Sequence, residues 1–357
     1  RGAPMTPPIA VRRAVERMHP YHPPLEGRSG KLRLDFNENT VGCSPAVLKA
    51  LRKLSSADVS MYPEQETVRR ELALYFGVHP DELLLSNGTD EALHLIADTF
   101  LEPSDSVLLV EPTFAMYRFH SELAGARIQV LRYGADLEFP TAEVLHALRM
   151  PSAPKIFFLA NPNNPTGNVL QPATLRRVLK AAARTMVVVD EAYFEYSEIT
   201  IIPWIRRYKN LVVTRTFSKA AGLAGLRLGC VFAARELAAV FRKAQSPYPV
   251  NIAALVAARA AMRDRSFMRR TLREFRRSRK ELQHGLAKLR IEFFPSAANF
   301  ILLNFGDRAK PVVASLARAG TLIRDRSSDF AGQGYVRITI GTLAQTRRVL
   351  RQLKECL

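Results

Sequence analysis

The stretch RTFSKAAGLAGLRLG, residues 215–229, sets Lys219 directly after a hydroxyl residue and ahead of small residues that lead to Arg227. A lysine pointing into water needs no such neighbours. Thr216, Ser218 and Arg227 together suit a phosphate dianion, because the guanidinium fork matches phosphate oxygens. The glycines and alanines between them let the backbone come close. Lys219 is then left free to react. Beside other positive charge its pKa falls, and a neutral amine is a nucleophile.

Three further stretches carry chemistry. VVVDEAY ends an apolar run with Asp190 and adds a phenol, Tyr193. A carboxylate at the edge of a core needs a charged or hydrogen-bonding partner; a protonated ring nitrogen serves, and so does an arginine in a structural ion pair. ANPNNPTGN has the composition of an ordinary loop, and it also fixes the side-chain amide of Asn164. SNGTDEAL puts Gly88, Thr89 and Asp90 where a helix begins. Free N–H groups and the helix dipole make an anion site there, although Thr and Asp are also common caps.

A lysine amine, a buried acid, a phenol, an amide and a phosphate cup together describe a site for pyridoxal phosphate. The acid keeps the pyridine nitrogen protonated, and the phenol and amide bond the ring hydroxyl. The lysine holds the cofactor covalently and, once displaced, moves the proton between the substrate Cα and the cofactor C4′.

These residues need a scaffold that brings strand ends together. From about residue 66 helical segments alternate with short apolar strands: ELLLS, SVLLVEP, RIQVLRY, KIFFLANP, MVVVDEAY and NLVVTRTFS. Continuous apolar strands suit a mainly parallel sheet covered by helices on both faces, with ligands outside the carboxyl ends of the strands. The expected fold class is α/β, with a large domain over 46–250. After about residue 250 long helices and two more strand-like runs predict a smaller α+β domain over 251–357, which the N-terminal segment 1–45 joins.

The 357 residues are 47% hydrophobic, enough for such a core. No run is apolar and long enough for a membrane span, and the proline-rich, basic N-terminus has no signal-peptide core; residues 1–4 suggest an addition before Met5. Cys43, Cys230 and Cys356 are odd in number and far apart, which argues against zinc and a disulfide framework and fits a reducing cytoplasm. The net charge of +19 is partly concentrated in residues 263–290, where Phe267, Leu272, Phe275, Leu282, Leu286 and Leu289 recur at helical spacing. One buried and one solvated basic face explain that pattern. No RNA-binding aromatic motif, zinc finger or P-loop accompanies it, so no nucleic acid or membrane partner is expected.

In this order and spacing, NPNNPTG, VVVDEAY and SKAAGLAGLRLG resemble the fold-type-I pyridoxal-phosphate aminotransferases. DFNENTVG (35–42), MYPE (61–64), EPTFAMY (111–117), ANFILL (298–303) and LIRDRSSDFAGQGYVRITIGT (322–342) narrow the resemblance to the histidinol-phosphate aminotransferases. It covers nearly the whole chain from about residue 20. The resemblance implies that Lys219 bonds the cofactor aldehyde, Asp190 pairs with the pyridine nitrogen, Tyr193 and Asn164 bond the ring oxygen, and Phe114 stacks on the ring. Its phosphate falls to the backbone at Thr89 and Asp90, with Thr216, Ser218 and Arg227. Tyr62 would reach that phosphate from a neighbouring subunit, which implies a homodimer with composite sites. Arg324 and Arg337 match the pair that binds the substrate's anionic group, and Tyr21 and Asn39 match residues closing over the substrate.

Two departures, Asn39-Thr40-Val41-Gly42 and Ala221, lie near the substrate entrance and bear on substrate identity rather than reaction class. The implied reaction is amino exchange between L-histidinol phosphate and 2-oxoglutarate in histidine biosynthesis. An aromatic or broad-specificity aminotransferase is the nearest alternative, and a threonine-phosphate decarboxylase the next. A basic nucleic-acid binder stands as the alternative of another class, recognisable by salt-dependent binding.

Overall fold

The computed structural model describes residues 9–20 and 24–357. Its main sheet has seven strands: β1 (Leu83–Ser86), β2 (Ser106–Glu111), β3 (Arg127–Arg132), β4 (Ile156–Ala160), β5 (Met186–Asp190), β6 (Leu211–Thr216) and β7 (Gly229–Ala233). They lie in the order β1-β7-β6-β5-β4-β2-β3. β7 is antiparallel to both its neighbours, and every other pair is parallel. This strand escaped the sequence reading because GCVFA follows directly on the arginine that closes the Lys219 stretch. It is nonetheless buried at every position.

The apolar runs make sense once both faces are covered. Side chains alternate along a strand, so Val187 and Val189 join one core while Val188 joins the other. Phe157 and Leu159 likewise part from Ile156 and Phe158. Helix α1 (Gly88–Phe100) packs Ala92, Leu93 and Ile96 on one face. Val68 and Leu72 of the helix Gln65–Phe76 pack on the other, and that helix ends at Gly77 in the left-handed conformation. Phe157, Phe158 and Phe232 are fully buried; truncating one to alanine would cost about 3–5 kcal/mol.

Helix α3 (Ile252–Arg263) lies beyond the expected boundary at 250, yet Ala254, Leu255, Ala258 and Met262 belong to a core of the large sheet. Packing changes at Asp264, whose side chain caps helix α4 (Arg265–Lys288) by accepting from the Phe267 N–H at 3.0 Å. α4 buries Phe275, Leu282 and Leu286, with Phe267, Leu272 and Leu289 half-buried beside them. Phe275, Leu282, Leu286 and Leu289 cover a four-stranded antiparallel sheet of β8 (Glu292–Phe293), β9 (Phe300–Asn304), β10 (Arg324–Asp325) and β11 (Tyr335–Thr339), in the order β10-β11-β9-β8. The N-terminal segment packs here too. Leu32–Arg33 pair in parallel with Thr321–Leu322, and Leu34 enters the small core. No helix among the described residues is long and apolar enough to cross a membrane.

Candidate active site

A cavity of about 300 Å³ opens at the carboxyl ends of β4, β5 and β6, between the two sheets. It is lined by every candidate named from the sequence except Tyr21, Asn39 and Tyr62.

The first wall belongs to the large sheet. Asp190 is the last residue of β5 and pairs in register with Ala160 of β4 and Thr214 of β6. Its carboxylate is buried and meets neutral donors. Tyr117 donates to Oδ2 at 2.8 Å, and the Ala192 N–H donates to Oδ1 at 3.1 Å. Burial raises its pKa to about 6, against the lowering effect of these hydrogen bonds. One residue later the chain points the other way, and Glu191 forms a buried ion pair with Arg215 at 2.8 Å. Arg215 precedes Thr216, so this pair ties the end of β5 to the end of β6 behind the cavity.

Lys219 lies on the turn after β6 and donates to the Phe36 carbonyl at 2.9 Å. Burial lowers its pKa to about 8, and the charge of Arg337 acts in the same direction. Thr216 accepts from the Ser218 N–H at 3.0 Å. Arg227 sits in the left-handed region at φ 55° and donates to Asp90 at 3.0 Å and to Ser218 Oγ at 3.4 Å. Gly88, at φ 77°, makes room for it: a Cβ there would stand 2.4 Å from Arg227 Nη2. The start of α1 and the Lys219 loop therefore meet over a glycine, and Thr89, Asp90, Ser218 and Arg227 surround one polar recess.

The second wall comes from the small sheet and the N-terminal segment. Arg337 is buried; it donates to Asn164 Oδ1 and, at 2.6 Å, to the Asp35 carbonyl. Burial lowers its pKa to about 10, and Arg326 adds to the effect. Tyr193 accepts from Asn37 Nδ2 at 2.8 Å, and burial raises the pKa of its phenol. The side-chain amide of Asn164 thus joins its loop to the arginine of the facing sheet.

Three candidates lie elsewhere. Tyr21 is outside the described residues. Asn39 does not line the cavity; it donates to the Ala220 carbonyl at 2.8 Å, bracing the Lys219 loop from outside. Tyr62 is 75% exposed and stacks on Tyr248 at 4.2 Å between ring centroids, away from this chain's own cavity. Among the lining residues that were missed are Tyr117, Asn37 and Arg326. Tyr117 stands one helical turn after Phe114 within EPTFAMY, and Asn37 lies within DFNENTVG, so both were inside quoted motifs. Nothing in RDRSS marked its second arginine.

The profile of the family "Aminotransferase class I and II" matches residues 29–353. The chain is 38% identical to a histidinol-phosphate aminotransferase of Symbiobacterium thermophilum, over 98% of this chain and 99% of that protein. The fold is similar to that of histidinol-phosphate aminotransferase from Sinorhizobium meliloti, solved in complex with pyridoxal-5′-phosphate. There the TM-score is 0.86 and the identity 26%, with 97% of each chain covered. It is also similar to L-threonine-O-3-phosphate decarboxylase from Porphyromonas gingivalis, with a TM-score of 0.79 and 26% identity over 91% of this chain and 98% of that one.

Proposed function

Because the chain belongs to the aminotransferase class I and II family, we propose that it exchanges an amino group between L-histidinol phosphate and 2-oxoglutarate, giving imidazole acetol phosphate and L-glutamate. Its cofactor is pyridoxal 5′-phosphate, and the residues present fit that group. A buried carboxylate held only by neutral donors, Asp190, faces the same cavity as a lysine of lowered pKa. Beside them Gly88 and Arg227 leave a polar recess suited to a phosphate. When bound, the cofactor supplies an aldehyde that takes up the amino group and a ring that draws electrons from the substrate Cα.

The chain's own residues do the rest. Lys219 Nζ, neutral in part near pH 8, would hold the cofactor and would serve as the base that moves the proton at the substrate Cα. Asp190 accepts the hydrogen bond of the protonated ring nitrogen, and Tyr117 and the Ala192 N–H keep its carboxylate aimed. Tyr193 and Asn164 hydrogen-bond the ring oxygen, and Phe114 covers the ring face. Thr216, Ser218, Arg227 and the N–H groups at Thr89 and Asp90 hold the cofactor phosphate. Arg324 and Arg337 bind the anionic group of each substrate in turn.

The observation that carries this reading is the joining, in one cavity, of Lys219 and Asp190 with an arginine-rich wall suited to phosphorylated or acidic substrates. Exposed Tyr62, with Met61 and Val59 exposed beside it, supports a homodimer in which this patch meets the partner. The three free cysteines support a cytoplasmic setting.

The test is the visible spectrum of the purified holoenzyme with L-histidinol phosphate and no keto acid. Loss of the yellow absorption, with the pyridoxamine form appearing, is the expected result. A yellow protein that ignores this donor but responds to phenylalanine or tyrosine would replace the substrate, and release of CO₂ from threonine phosphate would replace the reaction.

A further inference from the structure

Arg324 and Arg337 are direct cross-strand partners in the antiparallel pair β10–β11. The ladder continues one step: the Arg326 N–H donates to the Tyr335 carbonyl at 2.8 Å. Side chains alternate along a strand, so residues 324 and 326 share one face with residues 335 and 337. All three arginines line the cavity. Like charges directly opposite on a sheet repel and weaken the pairing. A chain that builds such an arrangement in a half-closed site needs an anion to offset it.

The counter-charges within the protein are few. Arg337 bonds only an amide oxygen and a backbone carbonyl. Arg324 touches no carboxylate among the described residues; its guanidinium lies 5.9 Å from the Phe36 ring. Arg326 pairs with Asp329 through Nη2, and its Nε is buried with no acceptor among the described residues. Arg337 Nε is in the same position. The other cavity carboxylates are engaged elsewhere: Glu38 by Arg28 and Arg33, Asp90 by Arg227, and Asp190 by Tyr117. Three cations facing one carboxylate leave an excess of two positive charges, and two of their buried N–H donors, the Nε groups of Arg326 and Arg337, have no acceptor among the described residues.

We propose that Arg326 is a specificity-determining residue that, with Arg324 and Arg337, selects a doubly charged phosphate monoester over a singly charged carboxylate. A phosphate monoester near neutral pH carries close to two negative charges and offers three oxygens. It neutralises the excess, and its three oxygens can meet more than one guanidinium fork at once. A carboxylate supplies half the charge and only two oxygens, and it leaves Arg326 with Asp329 alone. The inference rests on the aminotransferase reading for the reaction, while its substrate class is decided at Arg326 itself.

The experiment compares holoenzymes of wild type, Arg326→Gln and Arg326→Lys in two half-reactions, with L-histidinol phosphate and with L-glutamate. Calorimetric binding of inorganic phosphate is measured beside them, the cofactor already filling its own phosphate recess. Arg326→Gln should lower the ratio of kcat/KM for the phosphorylated donor to that for glutamate by roughly 10- to 100-fold, mainly through KM, since hydrogen bonds to charged groups are the strong ones. Phosphate binding should weaken in parallel, and Arg326→Lys, which keeps the charge and loses the fork, should fall between. An unchanged ratio, whether from equal losses on both donors or from no loss, overturns the proposal, as does unaltered phosphate binding. Should Arg326→Gln fail to fold, Arg326→Lys is read by the same two outcomes. A wild type inert to histidinol phosphate would strike the substrate proposed above. The difference in phosphate binding between wild type and variant would still decide the role of Arg326.

Discussion

On the cofactor wall, Asp190, Thr216 and Lys219 come from the ends of adjacent strands of one sheet. Each is held by a neutral donor or acceptor, and the ion pair of Glu191 with Arg215 locks their spacing from behind. On the arginine wall, β10 is only two residues long, and like charges face each other across it. One wall is prepared for a neutral or cationic ring and the other for an anion. Under the proposed function, the difference teaches that a rigid parallel sheet would position the reacting atoms, while uncompensated charge on a short strand would position the part of the substrate that does not react. Variants of the first wall should therefore act on turnover, and variants of the second on substrate affinity.

The largest effect should come from Lys219→Ala. No other amine lines the cavity among the described residues, so turnover should be abolished and the covalent yellow form lost, read by absorption and single-turnover assay. Normal transamination in this variant would break the assignment of chemistry to the first wall. Next is Arg337→Gln on the second wall, with kcat/KM for both anionic substrates reduced by roughly 100-fold, chiefly through KM. The absorption of bound cofactor should persist; its loss would mean that the two walls are not separable, since Arg337 also holds Asn164.

The smallest effect concerns pH. Burial lifts the Asp190 pKa from 3.8 to about 6 in the absence of a cationic partner. The carboxylate must be charged to pair with a ring N–H⁺, so cofactor retention should weaken roughly tenfold for each unit below pH 6, measured by equilibrium dialysis. Asp190→Asn should lose this limb. The sign for the stability of the cofactor-free protein is opposite. A raised folded pKa means that this group's contribution is fully present below 3.8 and is lost as pH rises through about 6. Arg337 itself should add no limb between pH 5 and 8, because it stays protonated with its pKa at about 10; a limb at about pH 6 in the binding of a phosphorylated substrate belongs to the second ionisation of the phosphate.

What could be read from the chain follows from this contrast. The residues proposed to hold the cofactor sit in contiguous motifs, because each is carried on one strand end and its turn, and local spacing sets their placement. Asn37 was less legible. It reaches Tyr193 across 156 positions of sequence, and only the docking of the N-terminal segment on the small sheet creates that contact. The packing of residues 252–263 was not legible for a similar reason. An alanine-rich helix such as α3 fits either core, and its packing partners, not its pattern, decide which.

By itself the sequence determined the α/β alternation, the family, and the lysine with hydroxyl and arginine neighbours that became the candidate site. These depend on periodicity and on short motifs whose chemistry is local. Only the tertiary structure decided that β7 runs against its neighbours, that Tyr117 aims Asp190, and that Arg326 stands beside Arg324 and Arg337 with a single carboxylate to answer it. Those facts depend on distance in space. Burial, desolvation and unbalanced charge come into being only when remote segments pack together.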